Sequence, residues 1–445
     1  MDHDVIVVGG GISGLLTTLA LSKEGKRVLL LERSNHLGGV CRSYKVDGYT
    51  VDTGPHVLTG MIKGPTGVLM DRYFDVLPKL IPHGKYYLRE KEKLYAFPWT
   101  LKEWALFGYL PISDRFALTS SMLQAYEKHL RGADLNRISV YDILKEKTLS
   151  DKTWRFVETT CTFLTGLSSR ETPLARIIEN TRGTGGYIEK LSGLVTRDGA
   201  AGHVYPAGGI GKLTESILLS FKSNVEIKVD SEVKKIATSD GEVDGVETTE
   251  EYYSSDMVIF SGRAALLPEM ADLPQDYAEM LGELTSVQAL SVWLGLKKKY
   301  VTTSGSEIWC ETQRSTWVVP TSNYDPHLAP KGRQLVGAGF SLPSGGFNLD
   351  REKEIALACF EENFPGIERH IEMEHYQVLT PEKAAYSVKN TLPTPITPIK
   401  GLYLVGTDTD RRAMGVTKAS HSVLRLLDIL RRETAIEPSL EMATG

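Results

Sequence analysis

Three glycines near the start of the chain have the spacing of a phosphate-binding turn. Gly9, Gly11 and Gly14 follow a short apolar run and open a stretch with helical character. In such a turn the first glycine permits the tight bend, the second lets the backbone approach a pyrophosphate, and the third lets the helix pack close to the strand. The helix would begin at Ile12 and Ser13, where free N–H groups and the positive dipole end favour anions. The turn therefore predicts a dinucleotide site.

A carboxylate follows the second apolar run. Glu32 lies eighteen residues after Gly14 and closes the run Arg27–Leu31. At this position of a strand–helix–strand unit, a carboxylate can accept hydrogen bonds from both hydroxyls of an adenosine ribose. We predict that Glu32 binds the ribose and that Arg33, the next residue, belongs to the same site.

A second glycine pair lies close to this carboxylate. Gly38 and Gly39 come six and seven residues after Glu32 and supply another close approach of the backbone. FAD carries its flavin on a long ribityl chain and needs contacts beyond the first helix, whereas an NAD enzyme does not need this pair. The pair therefore favours FAD over NAD.

The segment from Glu32 to Ser43 resembles the double-glycine extension of a large flavoprotein superfamily, which includes flavin amine oxidases, phytoene desaturases and protoporphyrinogen oxidases. Many members carry an arginine directly after the glycine pair. Here Val40 takes that place, and Arg42 follows two residues later. The resemblance implies that Arg42 and Ser43 lie in the cofactor site, and no motif indicates a covalent link to FAD.

Two segments in the middle of the chain extend the resemblance. Residues 205–209, Tyr-Pro-Ala-Gly-Gly, resemble the Y-P-x-G-G segment of phytoene desaturases, which would bring the backbone near the flavin. Further on, Val233 takes the place of a valine that meets the adenine through its backbone in the family. A plain strand position is the alternative for Val233.

The end of the chain adds a third cofactor segment. In the family an aspartate directly follows the glycine that ends the last strand, and it holds a ribityl hydroxyl. Here Thr407 follows Gly406, and Asp408 comes one residue later. Either the turn is shifted by one residue or the contact is made differently. Gly415 and Val416 would open a helix whose N-terminus faces the pyrimidine edge of the flavin and stabilises negative charge there.

Two side chains are candidates for catalysis. The turn that contains Gly54, Pro55 and His56 is placed beside the isoalloxazine ring in family members, and a histidine there could act as an acid or base near neutral pH. The alternative is a histidine held by backbone hydrogen bonds. Tyr386 lies where amine oxidases carry one wall of an aromatic cage.

Composition limits the classes of function. The chain has 445 residues, a net charge of −5 and four cysteines without a C-x-x-C pair. The charge argues against nucleic acid as a partner, and the cysteines fit a reducing compartment without a zinc site or disulfide framework. The first strand begins too early for a signal peptide, and no uninterrupted apolar stretch is long enough to span a membrane. These features predict a cytoplasmic protein that is not secreted and binds no metal.

An aromatic stretch over residues 94–110 follows the basic run 85–93. An apolar patch beside lysines suits peripheral contact with a membrane or an entrance for a hydrophobic substrate. The alternative is a buried helical lid with a solvated charged rim.

The predicted fold class is α/β. The resemblance implies a Rossmann-like FAD-binding domain of the glutathione-reductase type, interleaved with a substrate domain. Residues 1–75, 203–262 and 391–435 would form the discontinuous FAD-binding domain. Residues 76–202 would form a helical lid or substrate region, and residues 263–390 a substrate domain with a mixed sheet. The pattern also predicts a hairpin around Asp47–Gly48 and a mostly helical region from Leu69 to about Gly166.

These features predict an FAD-dependent oxidoreductase that dehydrogenates a hydrophobic small molecule by hydride transfer to flavin N5. The resemblance to phytoene desaturases favours an isoprenoid substrate. A protoporphyrinogen oxidase, a flavin amine oxidase and a redox-neutral flavin isomerase are the alternatives among enzymes. A non-catalytic escort protein is the alternative among binding modules, and the intact glycine turn with Glu32 argues against it.

Overall fold

The computed structural model describes residues 3–54, 56–62, 64–181, 203–381 and 383–441. Strands and helices are numbered along the chain. The strands are β1 (Val5–Val8), β2 (Val28–Leu31), β3 (Ser43–Val46), β4 (Tyr49–Asp52), β5 (Leu80–Pro82), β6 (Tyr87–Glu90), β7 (Lys93–Ala96), β8 (Val204–Pro206), β9 (Val225–Lys228), β10 (Val233–Ser239), β11 (Glu242–Thr248), β12 (Tyr252–Ser254), β13 (Val258–Phe260), β14 (Ala289–Leu296), β15 (Glu307–Trp309), β16 (Thr316–Val319), β17 (Gln334–Ser341), β18 (Ile371–Leu379) and β19 (Leu402–Leu404). The helices are α1 (Ile12–Lys23), α2 (Pro65–Tyr73), α3 (Leu101–Ala105), α4 (Ile112–Leu130), α5 (Val140–Leu144), α6 (Asp151–Thr165), α7 (Leu174–Thr181), α8 (Gly211–Leu219), α9 (Gln275–Gly282), α10 (Thr321–Tyr324), α11 (Leu349–Asn363) and α12 (Gly415–Glu441).

A five-stranded parallel sheet carries the glycine turn. Its strand order is β19-β13-β1-β2-β9, and every neighbouring pair is parallel. Each residue of β1, β2, β13 and β19 is buried, which fits apolar runs covered on both faces. The strands come from the N-terminal, middle and C-terminal parts of the chain, so the sheet requires all three.

The two faces of this sheet bury alternate residues. Val5 and Val7 pack with α1, α8 and α12, whereas Ile6 and Val8 pack with the antiparallel meander β10-β11-β12. The three layers are therefore helices, parallel sheet and meander. They confirm the predicted α/β class.

A hairpin follows the first strand–helix–strand unit. β3 and β4 pair antiparallel around Asp47 and Gly48, whose φ angles are 47° and 84°. Positive φ at both central residues is the type I′ geometry that the Asp-Gly pair predicts.

A seven-stranded mixed sheet forms the second body, in the order β18-β14-β17-β16-β15-β6-β7. Helix α11 covers it through Ile355 and Phe360, among other buried side chains. Helices α3 to α7, called the helical layer below, pack together around a further aromatic and aliphatic core. Leu88 of β6 and Ile308 of β15 also belong to this core.

Residues 80–96 correct the prediction of a mostly helical region between Leu69 and Gly166. They form β5, β6 and β7 instead, and β6 pairs in parallel with β15. The cause is tertiary pairing: Leu88 is fully buried against the mixed sheet, and the turn at Lys91 (φ 54°) returns the chain as β7. Helix α2 covers the start of the predicted region up to Tyr73, and the next helix begins at Leu101.

Across the part of the chain that the structure describes, no helix combines the length and apolarity needed to cross a membrane.

Candidate functional site

The glycine turn brings strand β1 and helix α1 into direct contact. A Cβ built on Gly14 would lie 1.9 Å from the carbonyl oxygen of Gly9, so only glycine fits there. Helix α1 starts after Gly11 without a side-chain cap, and its first hydrogen bond runs from the Leu15 N–H to the Gly11 carbonyl at 2.9 Å. The N–H groups of the first turn, at Ile12, Ser13 and Gly14, therefore remain available.

The space in front of this turn is open. A Cβ on Gly11 would meet no atom within 4 Å. The hydroxyl of Ser261 is buried beside Gly14 and has no hydrogen-bond partner among the described residues. Free N–H donors, a positive helix end and an unsatisfied hydroxyl together form a site for an anionic ligand.

Glu32 is fixed against the turn by its own carboxylate. One oxygen accepts the Gly10 N–H at 2.7 Å, and the other accepts the N–H and hydroxyl of Ser34 at 2.9 and 2.7 Å. A carboxylate has about four acceptor positions, so it retains acceptors for ribose hydroxyls. Sequence reasoning identified Glu32 but missed Ser34, whose signal is a hydroxyl two residues after the carboxylate.

The second glycine pair folds back onto the first turn. The Gly38 N–H donates to the Gly10 carbonyl at 2.8 Å, and Gly38 forms an isolated β-bridge with Gly11. The two glycine segments therefore meet in space. Their contact explains why the pair lies so soon after Glu32.

Val233 lies near the predicted ribose carboxylate. It opens β10, and the Ser231 N–H two residues earlier donates to the Glu32 backbone carbonyl at 2.8 Å. This proximity is compatible with the adenine contact that the resemblance implies.

A buried carboxylate joins the hairpin to the Tyr-Pro-Ala-Gly-Gly segment. Asp52 is fully buried and accepts the hydroxyls of Ser43 and Tyr205, each at 2.6 Å, and the Ile210 N–H at 3.1 Å. A Cβ on Gly209 would lie 2.2 Å from the Ser43 hydroxyl oxygen. Ser43 was predicted to lie in the cofactor site, and its hydroxyl is engaged in this internal network.

Burial also changes the proton affinity of this carboxylate. It raises the pKa of Asp52 to about 6, although the Ser43 and Tyr205 hydroxyls and the Ile210 N–H oppose the shift. Sequence reasoning missed Asp52. Its only sequence signal is an acidic residue at the buried end of β4. The neighbouring Arg42 lies over the Tyr44 ring, 5.8 Å from its centroid.

The turn after β4 is held by the seven-stranded mixed sheet. Gln377 on β18 accepts the Gly54 N–H at 2.8 Å and donates to the Asp52 carbonyl at 3.2 Å. Pro55 lies outside the described residues. Gln377 was not predicted, because its role depends on how β18 meets the hairpin.

His56 is held as a neutral side chain. Its Nδ1 lies 2.8 Å from the Gly54 carbonyl, which can only accept, so Nδ1 carries the proton. Burial lowers the pKa of His56 to about 4. At neutral pH the ring therefore offers an unprotonated Nε2 and is a weak base.

The loop after β19 lies against the start of α1. A Cβ on Gly406 would be 3.8 Å from the Ser13 hydroxyl oxygen. Asp408 is buried and accepts the Ala264 N–H at 2.8 Å, whereas Thr407 directly follows Gly406. The Asp408 carboxylate therefore ties this loop to the end of β13.

The start of α12 meets the segment after His56. Helix α12 begins at Gly415 and Val416, and the Thr417 hydroxyl donates to the Thr59 carbonyl at 2.6 Å. The third predicted cofactor segment thus meets the turn that follows β4.

A buried arginine from the helical layer supports the loop between β19 and α12. Arg176 of α7 donates to the carbonyls of Arg411 at 3.2 Å, Ala413 at 2.6 Å and Leu164 at 3.2 Å. Ala413 has a φ of 59°, a backbone conformation that residues with a Cβ rarely adopt. Arg176 was missed because nothing in its local sequence indicates contacts more than 200 residues away.

Tyr386 is engaged by the helical layer. Its hydroxyl donates to the Asn136 side chain, and the Arg411 guanidinium lies over its ring, 5.7 Å from the centroid. Within the described ranges, no group of three or more His, Cys, Asp or Glu side chains could hold a metal ion.

The aromatic stretch 94–110 is largely packed inside. Tyr95, Phe97 and Trp99 pack against the core of the helical layer, and Phe107 and Tyr109 are buried in it. Its exposed large apolar side chains are Leu94, Leu101 and Leu106.

Known proteins are similar to this chain in sequence and in fold. The family model described as flavin containing amine oxidoreductase matches residues 12–417. The 1-hydroxycarotenoid 3,4-desaturase of Flavobacterium sp. (strain P99-3) is 23% identical over 326 residues, covering 66% of this chain and 64% of that protein. The chloroplastic prolycopene isomerase of Daucus carota is 22% identical over 492 residues, covering 91% of this chain and 76% of that protein.

The fold has solved counterparts. The crystal structure of an oxidoreductase from Methanosarcina mazei matches with a TM-score of 0.80 at 21% identity, over 95% of this chain and 99% of that chain. The family match confirms the predicted superfamily and the predicted cofactor. The chain therefore belongs to the flavin containing amine oxidoreductase family and is an FAD-dependent oxidoreductase.

Proposed function

We propose that this oxidoreductase dehydrogenates a hydrophobic small molecule of isoprenoid type. The observation that carries the proposal is the match, over 66% of this chain, to a protein named as a carotenoid desaturase. When bound, FAD would supply a hydride acceptor at N5 of the flavin. The residues of this chain bind and orient both ligands and exclude water.

The proposed cofactor site combines the three predicted segments. The first-turn N–H groups of α1 and the Ser261 hydroxyl would hold the pyrophosphate, and Glu32 would hold the adenosine ribose. The remaining proposed contacts follow the family pattern. They are Arg33, Gly38, Gly39, Arg42, Gly54, Val233, Gly406, Thr407, Gly415 and Val416.

Aromatic rings of the lid support a hydrophobic substrate. Trp99 lies 5.1 Å from Phe97, 5.7 Å from Tyr86 and 5.6 Å from His203, measured between ring centroids. His203 directly precedes β8, whose Tyr205 binds Asp52. The aromatic lid is thus continuous with a proposed flavin-binding segment, where an apolar substrate could be shielded from water.

His56 has a limited role in this mechanism. With a pKa near 4 it is neutral at physiological pH, so we propose that its Nε2 accepts a hydrogen bond at the flavin rather than removing a proton. Dehydrogenation would also release a proton, but the cation left by hydride loss is strongly acidic at the neighbouring C–H, so a weak acceptor suffices to pass that proton to solvent and no strong protein base is needed.

A redox-neutral isomerisation is the second candidate. The protein named as prolycopene isomerase matches 91% of this chain, a larger share than the desaturase does. Isomerisation would use the same site and an apolar polyene, but it would leave the redox state of the flavin unchanged after turnover.

One experiment separates these candidates. The purified protein is loaded with FAD and mixed anaerobically with an acyclic isoprenoid, a porphyrinogen or an amine, while the flavin absorbance is followed. We expect bleaching by the isoprenoid. Bleaching by the porphyrinogen or the amine alone would replace the isoprenoid assignment, and conversion of the isoprenoid only after the flavin is pre-reduced would establish isomerisation.

We further propose a cytoplasmic protein that takes its substrate from a membrane surface. The support is the exposed apolar part of the lid, with Leu94, Leu101 and Leu106 beside the basic run 85–93.

A further inference from the structure

Lys383 reaches the glycine turn from a distant part of the chain. It lies between β18 and β19, and its Nζ is 3.5 Å from the backbone carbonyl oxygen of Ser261. The same oxygen would be 3.5 Å from a Cβ built on Gly9, the first glycine of the turn. Ser261 directly follows β13, which pairs in parallel with β1. The ammonium group therefore lies at the carboxyl end of the parallel sheet, beside the proposed pyrophosphate position.

The protein compensates this ammonium group only weakly. The contact with the Ser261 carbonyl is at the limit of a hydrogen bond, and among the described residues no carboxylate lies within ion-pair distance of Lys383. Burial lowers the pKa of Lys383, and the carboxylates of Asp408 and Glu32, which raise it, do not offset the burial. Taking a cation out of water costs free energy unless an anion or a strong acceptor compensates it. The surroundings of Lys383 therefore suit an anionic ligand.

A second cation lies at the same end of β13. Arg263 comes two residues after Ser261 and is close enough to lower the pKa of Lys383. Its guanidinium donates to the Ser286 hydroxyl at 3.2 Å, but its Nε is buried and has no hydrogen-bond partner among the described residues. The buried Ser261 hydroxyl beside Gly14 is in the same situation. Donors that the fold itself uses little thus gather next to the turn.

The charges around the turn explain why cations are needed there. The carboxylates of Glu32 and Asp408 both act on Lys383, so both lie near the proposed pyrophosphate position. A pyrophosphate carries further negative charge, which these carboxylates would repel. The N-terminus of α1 supplies only about half a positive charge. Arg33 is also near, but it is exposed and therefore screened by solvent, which leaves Lys383 and Arg263 to balance the ligand.

We propose that Lys383 and Arg263 bind the pyrophosphate of FAD together with the first turn of α1. The N–H groups of α1 would orient the phosphates, and the two side chains would supply charge-assisted hydrogen bonds. Both residues lie within 263–390, the range predicted as the substrate domain, so the sequence gave no reason to place them at the cofactor. Because Lys383 follows β18, the cofactor would be held by residues next to both large sheets.

The test is ligand binding to the protein without its cofactor, measured by flavin fluorescence for FAD and by competition with FAD for ADP and adenosine. Lys383→Met removes the charge and keeps the apolar stem. It should weaken the binding of FAD and ADP about thirtyfold, which is the effect of losing one charged hydrogen bond. Adenosine, which has no phosphate, should bind as it does to the wild type. The affinity of the variant for FAD should also depend less on salt.

Lys389→Met is the matched control. Lys389 belongs to the same segment, but it is exposed and paired with Glu171 at 2.7 Å, so its loss should leave FAD binding unchanged. Lys383→Arg should retain most of the affinity, because it keeps the charge. Arg263→Met should weaken FAD and ADP in the same way as Lys383→Met, and it tests the proposal even if the lysine variant does not fold.

Thermal melts separate ligand binding from a structural role. Without FAD, Lys383→Met should melt no lower than the wild type, because it loses a weakly compensated cation; with FAD it should gain less in melting temperature. Wild-type affinity for FAD in Lys383→Met, or equal losses for ADP and adenosine, would overturn the proposal.

The inference rests on the proposed pyrophosphate position and does not depend on the substrate. Gly11→Val distinguishes the two possible failures. Normal FAD binding by Lys383→Met with impaired binding by Gly11→Val would remove Lys383 from the site and leave the pyrophosphate at α1. Normal binding by both variants would refute the position of the pyrophosphate itself.

Discussion

Gly11 and Gly14 stand three residues apart in one turn and satisfy different requirements. Gly14 lies so close to the Gly9 carbonyl that a Cβ would clash at 1.9 Å, so it is needed for the contact between α1 and β1. Gly11 has open space before it and an extended backbone with φ −70° and ψ 175°, which other residues adopt freely. Gly14 is therefore required by the packing of the fold, whereas the packing does not require Gly11, which we propose is needed for the pyrophosphate.

This difference predicts the effect of Gly11→Val. The variant should fold with an unchanged melting temperature in the absence of FAD, because no atom lies within 4 Å of the new Cβ. It should bind FAD at least about a hundredfold more weakly, since the side chain would occupy the pyrophosphate position. Thermal melts of the wild type and the variant without FAD give the melting temperatures, and equilibrium dialysis and flavin fluorescence give the FAD affinities of both proteins. Gly345→Val, at an exposed glycine with equal space, is the control, and normal flavin content in Gly11→Val would refute the site.

At the scale of elements, Asp52 links the hairpin β3–β4 to β8 and the start of α8. Three groups donate to its carboxylate, from Ser43, Tyr205 and Ile210. Local sequence gives each element its own pattern but not this junction. The cost of burying the carboxylate appears as its pKa of about 6.

The raised pKa predicts a pH dependence of stability. Between its ordinary value of 3.8 and about 6, the folded protein binds a proton at Asp52 that the unfolded chain releases. The contribution of Asp52 to the unfolding free energy should therefore fall as pH rises through this window and stay constant above it. Asp52→Asn should remove that fall, because it keeps an acceptor oxygen without a titratable proton.

Thermal melts of the wild type and Asp52→Asn between pH 4 and pH 7 test this expectation. The difference in melting temperature, variant minus wild type, should grow in favour of the variant as pH rises. Parallel curves for the two proteins would show that Asp52 does not titrate in this range.

At the scale of the whole molecule, Arg176 connects helix α7 to the loop between β19 and α12, which is the predicted C-terminal cofactor loop. It is 2% exposed and donates to backbone carbonyls on both sides of that contact. The same loop contains Ala413 in a left-handed conformation, which costs about 1 kcal/mol or more and persists only when its surroundings impose it. Order in the loop therefore depends on a helix remote in sequence.

Arg176→Met should loosen this loop. Loss of the donors leaves buried carbonyls unsatisfied, so we expect the free energy of unfolding to fall by about 2–3 kcal/mol and FAD affinity to fall about tenfold. Urea titration and flavin fluorescence measure the two effects, and Arg176→Lys should recover part of both.

Arg137→Met is the matched control for this prediction. Arg137 also donates from the helical layer to distant groups, the Val388 carbonyl and the Thr391 hydroxyl, but it is exposed and outside the cofactor loop. Equal losses of FAD affinity in Arg137→Met and Arg176→Met would show that the effect is not specific to the loop.

The sequence by itself determined the elements whose signals are local. The glycine turn, Glu32, the type I′ hairpin at Asp47–Gly48 and the buried strands of the parallel sheet are fixed by residue type and short spacing, because turns and buried strands depend on neighbours along the chain. These signals sufficed for the fold class, the family and FAD.

Only the tertiary structure decided which distant groups meet. Within residues 80–96, β6 forms by pairing with β15 and β5 forms by pairing with β8. The Ser43 hydroxyl donates to Asp52, and Gln377 and Arg176 contact predicted cofactor segments. It also left the outer face of α4 exposed, which a helical pattern cannot distinguish from a core face. The physical reason is that burial and pairing depend on what packs against a segment, and the partner lies far away in the chain.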